Sequence, residues 1–173
     1  SGPLDETSIQ EGLNALGPDG GVLYIPAGRY VLKGQVTVPA DNITVYGDGR
    51  DTILEGTWME ARGLIKAENR RNLRFTRLHF KSLPFTARRG YQGVGKEAKY
   101  AEPGAEGRLS VTSRGLELPG CQNARIDHCE MELFGHVGVM GGGADVLVDH
   151  CFFHENFRYG LGYGIYATCT IED

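Results

Sequence analysis

Asn123-Ala-Arg-Ile-Asp-His-Cys-Glu-Met131 and Asp145-Val-Leu-Val-Asp-His-Cys-Phe-Phe153 are two copies of one pattern, starting 22 residues apart. A third copy, Asn72-Leu-Arg-Phe-Thr-Arg-Leu-His-Phe80, starts 51 residues before the first of these. That gap is one repeat plus a long insertion, placed at 83–113. Gly63, Gly115 and Gly138 each stand ahead of a copy or of its equivalent, and Gly164 precedes a last one opening at Ile171-Glu172-Asp173. Asn42-Ile-Thr-Val45 is a weaker, earlier copy. Short apolar runs punctuated by Gly at a fixed period describe a stack of repeats, a β-solenoid of about 22-residue coils. The glycines then mark coil corners. One repeat cannot bury its own apolar face, but neighbours about 4.8 Å apart can share one core.

Alternation assigns the faces. Phe75, Ile126, Val148 and Ile171 form one inward ladder. Leu78, Cys129 and Cys151 form a second, and Phe80, Met131 and Phe153 a third. Cys129 and Cys151 stack as small core residues in preference to a disulfide. Asp5 to Leu16 reads as a short helix, capped by Asp5 and stopped by Gly17-Pro18. It covers the end of the stack.

Composition agrees. Gly makes up 26 of 173 residues, with no G-X-Y period. Apolar residues are 40% and charged residues 23%, which argues against disorder. No apolar run reaches the roughly 18 residues of a membrane span. A helical bundle, a coiled coil, a membrane span and a loose linker are excluded. The net charge is −4, unevenly spread: 62–114 is strongly basic between two acidic flanks. That middle is an anion-binding surface or a self-paired charged one. The four cysteines form no CxxC pair, so a zinc knuckle is not expected. Ser1-Gly2-Pro3 carries no apolar leader segment.

The stretch Gly20-Gly-Val-Leu-Tyr-Ile-Pro-Ala-Gly-Arg-Tyr-Val-Leu32 is followed by Asn42-Ile-Thr-Val-Tyr-Gly-Asp-Gly49 and Thr52-Ile-Leu-Glu-Gly56. With Ile9-Gln10 in the helix before them, these resemble the N-terminal part of the pectate-lyase-like superfamily. The resemblance implies an all-β fold, a right-handed parallel β-helix with a short N-terminal capping helix. It implies one domain over 1–173. Such proteins usually have more coils, and the chain ends in mid-repeat, so a C-terminally truncated fragment is expected. The superfamily spans lyases, hydrolases, epimerases and tailspikes, so the site must decide the function.

Three loops leave the repeats at equivalent turns: 81–114, 132–137 and 154–163. Side by side they build a groove wall. Arg88, Arg89, Tyr91, Lys96, Lys99, His136 and Tyr163 are the candidate substrate-binding residues, cations for carboxylates and rings for sugar faces. The expected chemistry is β-elimination on a uronate-containing glycan. Arg88, Arg89 and Arg158 neutralise the carboxylate, His154 is the base and Tyr159 the acid. Asp127 and Asp149 face outward one repeat apart, with Glu172 near the same row. Ca²⁺ would relieve their repulsion as a metal held by Asp127 and Asp149; a neighbouring Arg or solvent would also do so. His128 and His150 are either catalytic or turn residues.

Gly135-His136-Val137-Gly138 resembles the Gly-His-Gly motif of polygalacturonases. The expected paired aspartates are absent, which disfavours inverting hydrolysis. His154-Glu155 lacks the second His of a zincin. Gly141-Gly142-Gly143 lacks the context of a phosphate loop. The expectation is a secreted, extracellular polysaccharide lyase acting on an acidic polysaccharide or oligosaccharide. The alternative is a glycan-binding, tailspike-like or structural module without chemistry. Nucleic acid is disfavoured, because the acidic flanks repel a duplex.

Overall fold

Asp5 starts the first element by accepting hydrogen bonds from the Thr7 and Ser8 amides at 3.0 and 3.2 Å. Helix α1 (Glu6–Ala15) follows, with Ile9 and Leu13 turned into the core. The computed structural model describes residues 4–57, 62–82, 91–92, 99–100, 114–134, 136–142, 145–156, 159–161 and 165–172. The remaining described elements are strands and one short 3₁₀ turn. The first strands are β1 (Gly21–Tyr24), β2 (Gly28–Leu32), β3 (Val36–Thr37), β4 (Ile43–Tyr46), β5 (Thr52–Gly56) and β6 (Gly63–Lys66). Next come β7 (Arg71–Thr76), β8 (His79–Ser82), β9 (Tyr91–Gln92), β10 (Lys99–Tyr100), β11 (Arg114–Leu118) and β12 (Gln122–Asp127). The last are β13 (Glu130–Glu132), β14 (Val137–Gly141), β15 (Val146–His154), β16 (Tyr159–Leu161) and β17 (Ile165–Glu172).

A ten-stranded sheet runs β1-β4-β7-β12-β15-β13-β8-β5-β2, with β17 also on β15. A five-stranded sheet runs β16-β14-β11-β6-β3, and β9 and β10 form a separate hairpin. Every pairing in the two larger sheets is parallel. Strand β15 belongs to both halves of the large sheet. Its Val146–Asp149 part pairs with β12 and its Phe152–His154 part with β13.

This arrangement corrects the expected fold class. The strands do not form an all-β solenoid closed into a right-handed parallel β-helix. They lie in two parallel sheets beside one helix, closer to an α/β-type parallel arrangement. Nor is the spacing of paired residues a uniform 22. Ala124 pairs with Val146, but Thr44 pairs with Arg74, thirty residues on.

Apart from Ile171, the first and third inward ladders are found as expected. Phe75 pairs with Ile126 and Ile126 with Val148; Phe80 pairs with Met131 and Met131 with Phe153. All six are fully buried. Each such side chain contributes about 1.5–3 kcal/mol of transfer free energy. Cys129 and Cys151 are free, buried thiols.

Two details differ. Ile171 pairs with Phe153 and Glu172 with His154, so neither continues the Val148 or Asp149 row; Ala167 and Thr168 do. Between Asp149 and Phe152 strand β15 holds one residue more than β17 does. The register therefore slips by one across that bend, and the last repeat is already short before it, with Ala167 nineteen residues after Val148. Gly63, Gly115 and Gly138 are strand residues and not corners, and Gly164 lies outside the described residues. A Cβ on Gly115 would lie 2.5 Å from the Gly138 carbonyl oxygen, so close strand approach is what demands glycine there.

The real corners carry Asn, Arg and His. Asn42, Asn72, Asn123 and Asp145 all have φ between 51° and 67° at the start of a large-sheet strand. Asn72 Nδ2 donates to Asn42 Oδ1 at 2.7 Å, and Asn123 Nδ2 to Asn72 Oδ1 at 2.8 Å. Asn and Asp tolerate this left-handed region better than most residues.

Candidate functional site

The bend after β7, after β12 and within β15 is made by Arg77, His128 and His150, with φ of 55°, 53° and 49°. Backbone bonds stack these bends: Arg77 N donates to Asp127 O at 3.2 Å and His128 N to Asp149 O at 3.4 Å. Three neighbouring strands thus present a cation and two imidazoles in one row. Successive members are one strand spacing, about 4.8 Å, apart.

Each imidazole is oriented by the carboxylate before it. His128 Nδ1 lies 2.9 Å from Asp127 Oδ2, and His150 Nδ1 lies 2.9 Å from Asp149 Oδ1. An ionised carboxylate only accepts, so Nδ1 carries the proton and Nε2 is the free nitrogen of the neutral ring. The two rings stack with centroids 5.0 Å apart and planes 2° from parallel. Their side chains are 57% and 70% exposed. Arg77 is exposed, and among the described residues it has no hydrogen-bonded or ion-paired side-chain partner. Its charge acts on the Asp48 carboxylate.

The aspartates are fixed from the other side. Arg74 grips Asp127 through two bonds of 2.8 Å, and Thr76 Oγ1 donates to Asp127 Oδ2 at 2.9 Å. Arg125 grips Asp149 at 3.0 and 3.2 Å. Burial pushes the Asp127 carboxyl up, but the bonds from Arg74, His128 and Thr76 outweigh it and hold the group well below the usual carboxylate range. The same opposition, with Arg125 and His150 as donors, lowers Asp149. These are charge-assisted, forked contacts.

That donor set does not fit the expected calcium site. The ligand atoms of Asp127, His128 and Asp149 do lie within 4.8 Å of one another. Yet all four carboxylate oxygens already accept from an arginine. A hard cation would have to displace two guanidinium groups. Of the three ways to relieve the repulsion, the neighbouring arginine is the one observed.

A cleft of about 230 Å³ opens beside the row, lined by Gly49, Arg50, Glu130 and Phe152 as well as His128 and His150. Arg50 sits 5.8 Å over the Phe152 ring and 2.6 Å from Glu130 Oε2. His154 lies behind it. Its Nε2 is 2.8 Å from Glu130 Oε1 and its ring stacks on Phe152 at 4.4 Å. His79 and Lys81 both bind Glu132. The His79 bond is the largest influence on Glu132, whose pKa falls to about 2 against the opposing effect of burial.

Among the described residues, the expected site residues fall on separate elements. Arg88, Arg89, Lys96, Arg158 and Tyr163 lie outside the described residues. Tyr91 and Lys99 fall on the β9–β10 hairpin, paired with Tyr100 and Gln92. Tyr159 is on β16 in the five-stranded sheet, opposite Val137, whereas His154 ends β15 in the ten-stranded one. His136 is partly buried just before β14. Arg77, Arg50 and Phe152 were not singled out in the sequence. Arg77 had a signal: it aligns with His128 and His150 in the three repeat copies. Among the described residues no helix is long and apolar enough to cross a membrane.

No family model matches the chain, and no curated protein matches it. Solved structures do. The chain is similar to ORF18 of Geobacillus virus E2, with a TM-score of 0.54 and 13% identity over 96% of this chain. It spans 37% of that protein. It is also similar to a candidate glycosyl hydrolase from Parabacteroides merdae, with a TM-score of 0.46 and 11% identity, covering 96% of this chain and 85% of that one. At such identities the viral likeness bears on the fold alone, and the second carries no argument.

Proposed function

We propose that the protein acts outside the cell on an acidic polysaccharide and cleaves it by β-elimination at the row Arg77, His128, His150. The observation that carries this reading is the row itself: one exposed guanidinium beside two imidazoles that carboxylates orient through Nδ1. Elimination next to a uronate needs three things, a cation on the carboxylate, a base for the neighbouring C–H, and an acid for the leaving oxygen.

Arg77 pairs with the carboxylate and makes the adjacent C5–H more acidic. His128, neutral, takes that proton on Nε2. The electron pair becomes the C4=C5 double bond as the C4–O4 bond breaks. His150, protonated, gives its Nε2 proton to O4. One imidazole gains a proton and the other loses one, and exchange with water resets both. His154 has its Nε2 committed to Glu130 and supports the cleft wall, which changes the base from the one expected in the sequence.

The test is a panel of uronans incubated with the protein, with unsaturated product followed by ultraviolet absorbance. Replacing His128 by Ala is expected to lower product formation roughly 100-fold or more, with oligosaccharide binding retained. His154→Ala is expected to stay within about tenfold of the parent. Binding without product from the unaltered protein would favour the glycan-binding alternative, consistent with histidines this open to water. Full activity of His128→Ala would overturn the assignment of the base.

A further inference from the structure

The histidines on the outer face of the large sheet use their rings in two ways. His79 and His154 hold Nε2 against Glu132 and Glu130, at 3.1 and 2.8 Å. His128 and His150 bond only through Nδ1, to Asp127 and Asp149. Among the described residues neither of their Nε2 atoms has a hydrogen-bonded or ion-paired partner. The two rings leave the sheet at equivalent bends with the same Nδ1 bond, and their planes are 2° from parallel. One ring is thus close to a translated copy of the other. With centroids 5.0 Å apart, the two Nε2 atoms are separated by about one strand spacing, roughly 5 Å, with their lone pairs on the same side.

We infer that His128 and His150 together bind one divalent transition-metal cation of the zinc type through their Nε2 atoms, with water completing the shell. Three observations carry it. The donors are adjacent, they are unused, and each ring gives its other N–H to a carboxylate. That last bond is the one that orients ligating imidazoles and makes them more basic. A tetrahedral zinc ion, with bonds of about 2.0–2.1 Å, needs two nitrogens roughly 3.3 Å apart. Each ring tip must then move by about 0.8 Å, a turn of about 15° at χ1 that stays within a rotamer well. Side chains this exposed have room to make it. Nδ1 moves less than Nε2 in that turn, so the aspartate bonds hold. The neighbouring charge permits a cation. Arg74 and Arg125 are held by the two aspartates, and Arg50 by Glu130. Arg77, beside His128, is the remaining cation, and its charge acts on the Asp48 carboxylate. Imidazole suits zinc, copper or nickel, whereas calcium prefers oxygen. The site goes beyond the elimination reading and does not need it. Under that reading the cation takes the lone pair that His128 uses as base, so zinc is an inhibitor and not a cofactor.

The test titrates the metal-free full chain with zinc chloride by calorimetry, with calcium chloride in parallel. One zinc per chain is expected to bind, at least about tenfold tighter than calcium. His150→Asn is expected to weaken zinc binding by about tenfold or more. Asparagine tolerates the φ of 49° at that bend, and an unchanged urea midpoint shows that the variant is folded. His154→Ala is expected to bind zinc within about twofold of the parent. Binding that His150→Asn leaves unchanged overturns the proposal. Its loss in His154→Ala would then move the ion to Glu132, His154 and Glu155, whose donor atoms also lie within 4.8 Å of one another. Calcium binding as tight as zinc, or no zinc binding, overturns it too. Zinc bound as expected, with no unsaturated product from any uronan with or without the metal, overturns the elimination reading alone.

Discussion

The two halves of the ten-stranded sheet handle outward charge in different ways. In the half built on β4, β7, β12 and the start of β15, each aspartate is gripped by an arginine from the preceding strand. Arg74 holds Asp127 and Arg125 holds Asp149, a repeated diagonal step. In the half built on β5, β8, β13 and the end of β15, equivalent positions carry unlike residues. His79, Glu130 and Phe152 share one row, and Glu55, Lys81, Glu132 and His154 the next. The first half is a periodic scaffold whose spare groups, the imidazoles, face solvent. The second is a single network in which each base already has its acid.

Removing a carboxylate from each half tests that contrast, and the largest effect is expected at Asp127. It is fully buried, and its loss strands Thr76, His128 and part of Arg74. Asp127→Ala is expected to cost about 3 kcal/mol in urea unfolding, at the low end for a broken buried pair because Arg74 can turn to water. Asp149→Ala, less enclosed, is expected to cost about 1–2 kcal/mol. Equal costs would mean that the repeated step does not depend on burial.

Acid separates the halves next. Glu132 has its pKa lowered from 4.5 to about 2 in the folded chain. Its contribution is fully present above about pH 4.5 and is lost as the pH falls from there toward 2. Urea midpoints measured across that window are expected to fall less steeply in Glu132→Gln than in the parent. Near pH 7 the variant should be less stable by about 1–2 kcal/mol. Parallel curves would place the acid response of this half elsewhere than on Glu132.

The same contrast explains what could be read from residues alone. Asp127 and Asp149, or Phe75, Ile126 and Val148, repeat in type and spacing, so their pairing was legible. The partner of each aspartate also repeats, as Arg74 and Arg125, but it sits on the neighbouring strand, 53 and 24 residues earlier in the chain. The Glu132 network has no repeat to betray it: His79, Glu132 and His154 meet only because β13 lies between β8 and β15. The closure of the sheets was misread because a shared period fixes which strands are neighbours, not how many sheets they make. Ile171 was misplaced because the last repeat is shorter: Ala167, nineteen residues after Val148, stands where Ile171 was expected.

The smallest expected effect concerns the bends that open the first half. Asn72 has φ of 57° and sits in the middle of an amide ladder, donating to Asn42 and accepting from Asn123. Two causes could fix asparagine there, the left-handed backbone or the side-chain ladder. Asn72→Ala loses both and is expected to cost about 1–2 kcal/mol. Asn72→Gly keeps the backbone free to adopt that φ and loses only exposed hydrogen bonds, so about 0.5–1 kcal/mol is expected. Chemical denaturation of the two variants side by side decides the matter. A glycine variant as unstable as the alanine one would mean that the ladder, and not the backbone, holds the strands of this half in register.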